Sequence, residues 1–116
     1  MAPAKPTTPA TLVLAITTEA SEANAEALAR ALLERRLVAC VSLRPVRSLY
    51  RWQGEVESAD EVELLLKTTA ARLAELETAV RELHSYDTPE WLTWTAGASG
   101  AYAAWAWEAT SSLSEP

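Results

Sequence analysis

Apolar and polar positions change period several times along this chain. Thr11-Leu-Val-Leu-Ala-Ile-Thr-Thr18 is a short apolar run with β-branched Val13 and Ile16, suited to a strand central in a sheet or covered on both faces. After Ser21, a candidate cap, Ala25, Leu28, Ala29, Leu32 and Leu33 recur at helical spacing while Glu22, Glu26, Arg30 and Glu34 fall largely elsewhere, which predicts a helix with one buried face. Val38-Ala-Cys-Val-Ser-Leu43 predicts a second strand. Pro45 lacks a ladder donor and is expected to interrupt it before Ser48–Gln53 extends again, with Gly54 marking a turn or bulge.

Val62, Leu64 and Leu66 then alternate with Glu61, Glu63, Leu65 and Lys67, so residues 38–68 form a long β-hairpin with the acidic run Glu55–Glu61 as its solvated tip. Thr69 is the expected cap of a second helix, in which Leu73, Leu76, Val80 and Leu83 share a face and His84 stands at the C-terminal end. Pro89 forbids helix at Thr88, and Trp91–Thr95 predicts a fourth strand. Ser99 between Gly97 and Gly100 can cap a last helix from Ala101 to about Ala109, bearing Tyr102, Trp105 and Trp107. The order βαββαβ with an added C-terminal helix is an α+β, ferredoxin-like sandwich. Residues 1–10 read as a tail, 11–110 as one domain and 111–116 as a second tail.

Two helices cover one sheet face only, yet Leu12–Leu14, Ile16 and Leu64–Leu66 supply apolar groups to both, and four tryptophans follow residue 90, expected as core or interface. That surplus points to a homo-oligomer. The chain has 116 residues, enough for one domain, and a net charge of −6 that disfavours nucleic acid as a partner. Its single cysteine cannot close an intrachain disulfide, which makes the cytoplasm the default location, and no apolar run is long enough to cross a bilayer. The first ten residues have no apolar core of a secretory signal. No phosphate-binding glycine loop, nucleophile elbow or His-Glu-x-x-His helix occurs, so nothing points to an enzyme.

Four blocks carry a likeness to a known family: Glu34-Arg-Arg-Leu-Val-Ala-Cys-Val41, Tyr50-Arg-Trp-Gln-Gly-Glu-Val56, Glu61-Val-Glu-Leu-Leu-Leu-Lys-Thr-Thr69 and Leu83-His-Ser-Tyr-Asp-Thr-Pro-Glu90. Together, in this order, they resemble the CutA divalent-cation-tolerance family. The resemblance implies a homotrimer similar to the PII signalling proteins, tolerance of divalent metals, and binding of copper or another divalent ion. The family's usual His-Pro-Tyr-Glu-Val-Pro-Glu is here His84-Ser-Tyr-Asp-Thr-Pro-Glu90, and Ser85 in place of proline predicts a less rigid loop.

Against that background two chemistries compete. Cys40, His84 and Glu90 are candidate metal ligands, since thiolate and imidazole suit soft and borderline ions and carboxylate adds oxygen, with Glu61 or Glu63 in reserve. A thiol facing a cleft beside Lys67 would be reactive and metal-avid. The plainer readings are a buried cysteine acting as a small hydrophobe and a helix-end histidine in contact with solvent. Tyr50, Arg51, Lys67 and Tyr86 are candidates for a cleft between subunits that takes a small anionic ligand. A metal buffer or sensor, a PII-like sensing module and a purely structural trimer therefore all stand as expectations.

Overall fold

A computed structural model describes residues 10–111; the expected tails, apart from Ala10 and Ser111, lie outside the described residues. The elements are β1 (Ala10–Glu19), α1 (Glu22–Glu34), β2 (Cys40–Trp52), β3 (Glu55–Thr68), α2 (Leu73–Leu83), β4 (Leu92–Ala98) and α3 (Gly100–Ala109). Their sheet is antiparallel in the order β2-β3-β1-β4. This is the ferredoxin-like arrangement expected from the pattern.

Local chemistry explains most boundaries. The Ser21 hydroxyl accepts the Asn24 N–H at 3.1 Å at the start of α1, and Ser99 does the same for Tyr102 at 3.1 Å at the start of α3. Past the end of α1, Arg36 turns to φ 58°, while Leu37 N–H reaches Leu32 C=O and Arg36 N–H reaches Leu33 C=O, each at 3.0 Å. That pair of bonds closes the helix with a left-handed residue. Arg72 then donates to the carbonyls of Arg35 and Arg36, both at 3.3 Å, where the helix dipole favours a cation.

Ala25, Leu28, Ala29 and Leu32 of α1 and Leu76, Ala79 and Val80 of α2 pack on Ala15, Val62, Leu64 and Leu66 to form the main core. Leu33, expected on the same face, is exposed at its flank. α3 lies elsewhere, with Ala103 and Ala106 against Leu12 and Ala39. On the side of the sheet away from α1 and α2, cross-strand partners run in rows: Trp94, Leu14, Lys67 and Cys40, then Leu92, Ile16, Leu65 and Ser42. Leu92 and Trp94 in these rows are exposed.

Several expectations need correction. Pro45 does not interrupt β2: it pairs with Val62 inside a continuous strand. β2 is an edge, and an edge strand tolerates a missing N–H on its free side. The acidic run from Glu55 does lie at the largely exposed far end of the hairpin, and it is strand throughout, paired with residues 46–52. The turn is Gln53-Gly54, both at positive φ (50° and 81°), the geometry that matches strand twist in a two-residue hairpin loop. Thr69 leads into a short 3-10 turn, Ala70–Arg72, without a side-chain cap bond, and its buried hydroxyl has no partner. β4 begins one residue later than expected and runs on through Gly97 to Ala98. The late tryptophans, expected as core or interface, divide in the single chain: Trp91 packs against the main core, whereas Trp94, Trp105 and Trp107 are exposed.

Candidate functional site

β1 ends where α2 ends, and that meeting point holds most of the sequence's candidate chemistry. His84 leaves α2 with an extended backbone, and its ring turns inward to Thr18 at the end of β1. Nε2 donates to the Thr18 carbonyl at 2.6 Å, while Nδ1 accepts the Tyr86 N–H at 3.0 Å. A neutral imidazole with its proton on Nε2 satisfies both bonds. The side chain is fully buried, so the expectation of a helix-end histidine in contact with solvent is corrected.

Glu19, one residue further along β1, is only 1% exposed. Its carboxylate accepts the Ala20 N–H at 3.3 Å, the Ser85 N–H at 3.1 Å and the Ser85 hydroxyl, and one oxygen lies 3.5 Å from His84 Nδ1. A buried carboxylate is tolerable when donors converge on it in this way. Ser85 therefore pins the loop it was expected to loosen. Neither Glu19 nor the role of Ser85 was read from the sequence. The signal available was the joint appearance of an acidic residue closing an apolar strand and a hydroxyl where the resembling blocks have proline.

Tyr86 stacks at a tilt on His84, ring centroids 5.0 Å apart, and donates its hydroxyl to Glu61 at 2.8 Å. Burial, the bond to Glu61 and the negative charges of Glu61 and Glu19 hold the phenol well above its usual range, with Tyr50 near enough to add to the effect. Glu63 sits opposite Thr18 across β1 and β3 and pairs with Arg44 at 2.9 Å. Glu90 reaches the same place. The residue is exposed, and its carboxyl is pushed up by partial desolvation first, then by the charges of Glu63 and Glu61, against a lowering hydrogen bond from Thr18.

The sequence's two ligand sets are not assembled by one chain. Cys40 lies opposite Lys67, which lies opposite Leu14, four residues before Thr18 on β1. At about 3.3 Å per residue and about 4.8 Å per strand, Cys40 and the Thr18 carbonyl that holds His84 are roughly 16 Å apart. Among the described residues no group of three or more His, Cys, Asp or Glu side chains converges to enclose a metal. Cys40 is half-buried on the open sheet side, with Lys67 Nζ 3.8 Å from its sulfur and 3.4 Å from the Ser42 hydroxyl. Tyr50 and Arg51 pair with Glu57 and Val56 near the hairpin tip, ten or more residues from Lys67 along β3, roughly 33 Å at the usual rise. Lys67 therefore stands apart from Tyr50 and Arg51. No helix among the described residues is long and apolar enough to cross a membrane.

Residues 13–109 match the family model described as CutA1 divalent ion tolerance protein. A divalent-cation tolerance protein CutA of Pectobacterium atrosepticum is 41% identical over 95 residues, covering 80% of this chain and 86% of the relative. The structure of CutA from Synechococcus elongatus superposes with a TM-score of 0.86 at 36% identity, over 90% of this chain and 96% of the other. A periplasmic divalent cation tolerance protein CutA from Archaeoglobus fulgidus superposes with a TM-score of 0.83 at 30% identity, over 88% of this chain and all of its own, 100%.

Proposed function

The chain belongs to the CutA1 divalent ion tolerance family, and from that premise we propose that it binds a divalent metal ion, copper first, as a non-enzymatic buffer or sensor. The observation that carries the reading is the match of residues 13–109 to the divalent ion tolerance family, and the charges of Glu61 and Glu63 near the Glu90 carboxyl support it. Glu90 would supply oxygen. His84 would add a nitrogen only by giving up one of its two hydrogen bonds, and Cys40 would add sulfur from another copy of the chain.

That requirement for a second copy joins the metal reading to a homotrimer of PII-like form. Support for assembly comes from the uncovered sheet face with Leu92 and Trp94 and from the exposed Leu49, Trp52 and Val56 of the hairpin. A cytoplasmic location is part of the proposal, resting on a lone cysteine with no disulfide partner. The Archaeoglobus relative, described as periplasmic, makes cell fractionation the direct check.

The test is a copper titration against a competing chelator, on wild type, on Cys40→Ala/His84→Ala and on Glu90→Gln, each of verified oligomeric state. Loss of tight binding by well over tenfold in the variants supports the reading; equal, weak binding by all three overturns it. A second reading is kept because Tyr50 and Arg51 are carried on the exposed outer arm of the hairpin, where another copy of the chain could meet them. A small anionic ligand would sit between subunits, met by Arg51 of one hairpin and Lys67 of another copy. A melting shift with anionic metabolites and none with metals selects it, and no shift with either selects a purely structural scaffold.

A further inference from the structure

The side of the sheet away from α1 and α2 is mostly apolar, and one cation is set into it. Lys67 stands between Cys40 of β2 and Leu14 of β1 in a cross-strand row. It is half-buried, and its ammonium points to the Ser42 hydroxyl at 3.4 Å and the Cys40 sulfur at 3.8 Å. Neither partner is a carboxylate, and among the described residues Lys67 enters no salt bridge. Arg30, Arg44 and Arg72, by contrast, each hold a glutamate at 2.8–2.9 Å. The chain has 16 acidic residues against 10 Lys and Arg, so the unpaired ammonium does not reflect a shortage of carboxylates. A half-buried charge of this kind gains from an anion that brings its own hydrogen-bond acceptors.

A cavity of about 410 Å3 opens beside it, with Leu12, Leu14, Lys67, Ala96 and Tyr102 among its walls and no acidic residue among them. That size falls within the usual range for small-molecule sites, which combine apolar walls with a few polar groups. Leu12 is buried against Ala103 and Ala106, so α3 closes one end of the cavity. Tyr102 stands at the rim, its ring against that of Trp105 with centroids 5.4 Å apart.

The sheet order gives the cavity two chemically different ends. Toward β2 stand the Lys67 ammonium and the Ser42 hydroxyl, which accepts from Lys67 and keeps its own proton to donate. Toward β1 and β4 stand Leu14, Leu12 and Ala96, one and two strand spacings from β3, or about 5 and 10 Å. An anionic head beside an apolar strip of that length is the complement of a carboxylate on a short hydrocarbon tail.

We propose that this cavity binds a small monocarboxylate with a short hydrocarbon tail. The carboxylate accepts from the Lys67 ammonium and the Ser42 hydroxyl, and the tail lies on Leu14, Leu12 and Ala96 beneath Tyr102. One chain supplies every contact and no metal is required, which separates this site from a cleft where Arg51 and Lys67 come from different copies.

The test is calorimetric titration of the full chain with octanoate, with octanol and octylamine as probes that share the tail and lack the carboxylate. Octanoate should bind more tightly than either; equal or weaker binding overturns the proposal. Lys67→Met keeps the stem and removes the charge. It should weaken octanoate by about tenfold or more, as loss of a hydrogen bond to a charged group does, and leave octanol unchanged. Undiminished octanoate binding is refutation. Where Lys67→Met alters the oligomeric state, Ser42→Ala at an exposed position decides: weakening of about threefold or more supports the site, and none refutes it. Arg51→Met should bind octanoate as wild type does; a loss matching that of Lys67→Met places the anion between subunits and overturns the single-chain site. Methyl NMR locates the tail. The Leu12 and Leu14 methyls should shift during the titration while those of Leu32 and Leu76 in the main core hold still, and the reverse pattern overturns the proposal.

Discussion

Ser85→Pro is a revealing perturbation, because it restores the residue of the resembling family blocks and should nevertheless weaken this chain. Glu19 is buried and holds its carboxylate through Ser85 N–H at 3.1 Å, the Ser85 hydroxyl and a longer Ala20 N–H bond at 3.3 Å. Proline deletes both Ser85 donors and leaves the long bond alone. Each hydrogen bond to a charged group contributes about 1.5–3 kcal/mol, giving about 3–6 kcal/mol as an upper bound. Proline returns about 0.4–1 kcal/mol by restricting the unfolded chain. His84 already has the extended backbone that a residue before proline requires, at ψ 147°, so no strain at that residue enters the balance. Ser85 is exposed, so water replaces part of what is lost. The expected net destabilisation is about 2–4 kcal/mol, a fall in Tm of roughly 10–20 °C. Thermal and urea unfolding should be measured at one fixed protomer concentration, since association would itself move the midpoint. The pair Glu19→Ala/Ser85→Pro should recover much of the loss, with a coupling of at least about 1.5 kcal/mol in the double-mutant cycle. A Ser85→Pro chain as stable as wild type, or additive behaviour in the cycle, refutes the account.

Other consequences are simpler to check. Gln53→Asn should stabilise by about 0.5 kcal/mol in thermal melts, because Gln53 sits at φ 50° in a turn where asparagine is favoured. Leu64→Ala, at a fully buried core position, should cost about 2–5 kcal/mol in urea unfolding. The Glu90 carboxyl is raised in the folded chain, so its favourable contribution is full below the ordinary glutamate range and is lost as pH rises through the raised value. Glu90→Gln should therefore melt higher than wild type near neutral pH and lose that advantage in acid; parallel pH profiles would contradict this.

What could be read from the chain was whatever depends on period. The helical spacing of Ala25, Leu28, Ala29 and Leu32 and the alternation of Val62, Leu64 and Leu66 correspond to buried faces of α1 and β3. Pro45 misled because its meaning depends on whether the strand is an edge, which is a property of sheet order rather than of the neighbouring residues. Glu55–Glu61 could be placed at the solvated end of the hairpin, but its pairing could not be read residue by residue, because a largely exposed strand has no apolar alternation. At the site, His84, Tyr86, Glu61 and Glu90 were legible as chemistry near one another in the sequence blocks. Their joining to Glu19 was not, because a contact spanning 66 residues between Ser85 and Glu19 leaves no local trace.

The outer half of the hairpin, from Val46 paired with Glu61 to the Gln53-Gly54 turn, lies beyond the helices and carries Leu49, Tyr50, Trp52 and Val56 in the open. Its cohesion is cross-strand bonding with little burial beneath, so in a lone chain it forms a separate unit of cooperativity. Amide hydrogens there would exchange through local opening while Leu64 and Leu66 stay protected at the base. A neighbour laid along the arm would merge it with the main cooperative unit, and the slowing of exchange toward the tip would become a direct gauge of subunit engagement.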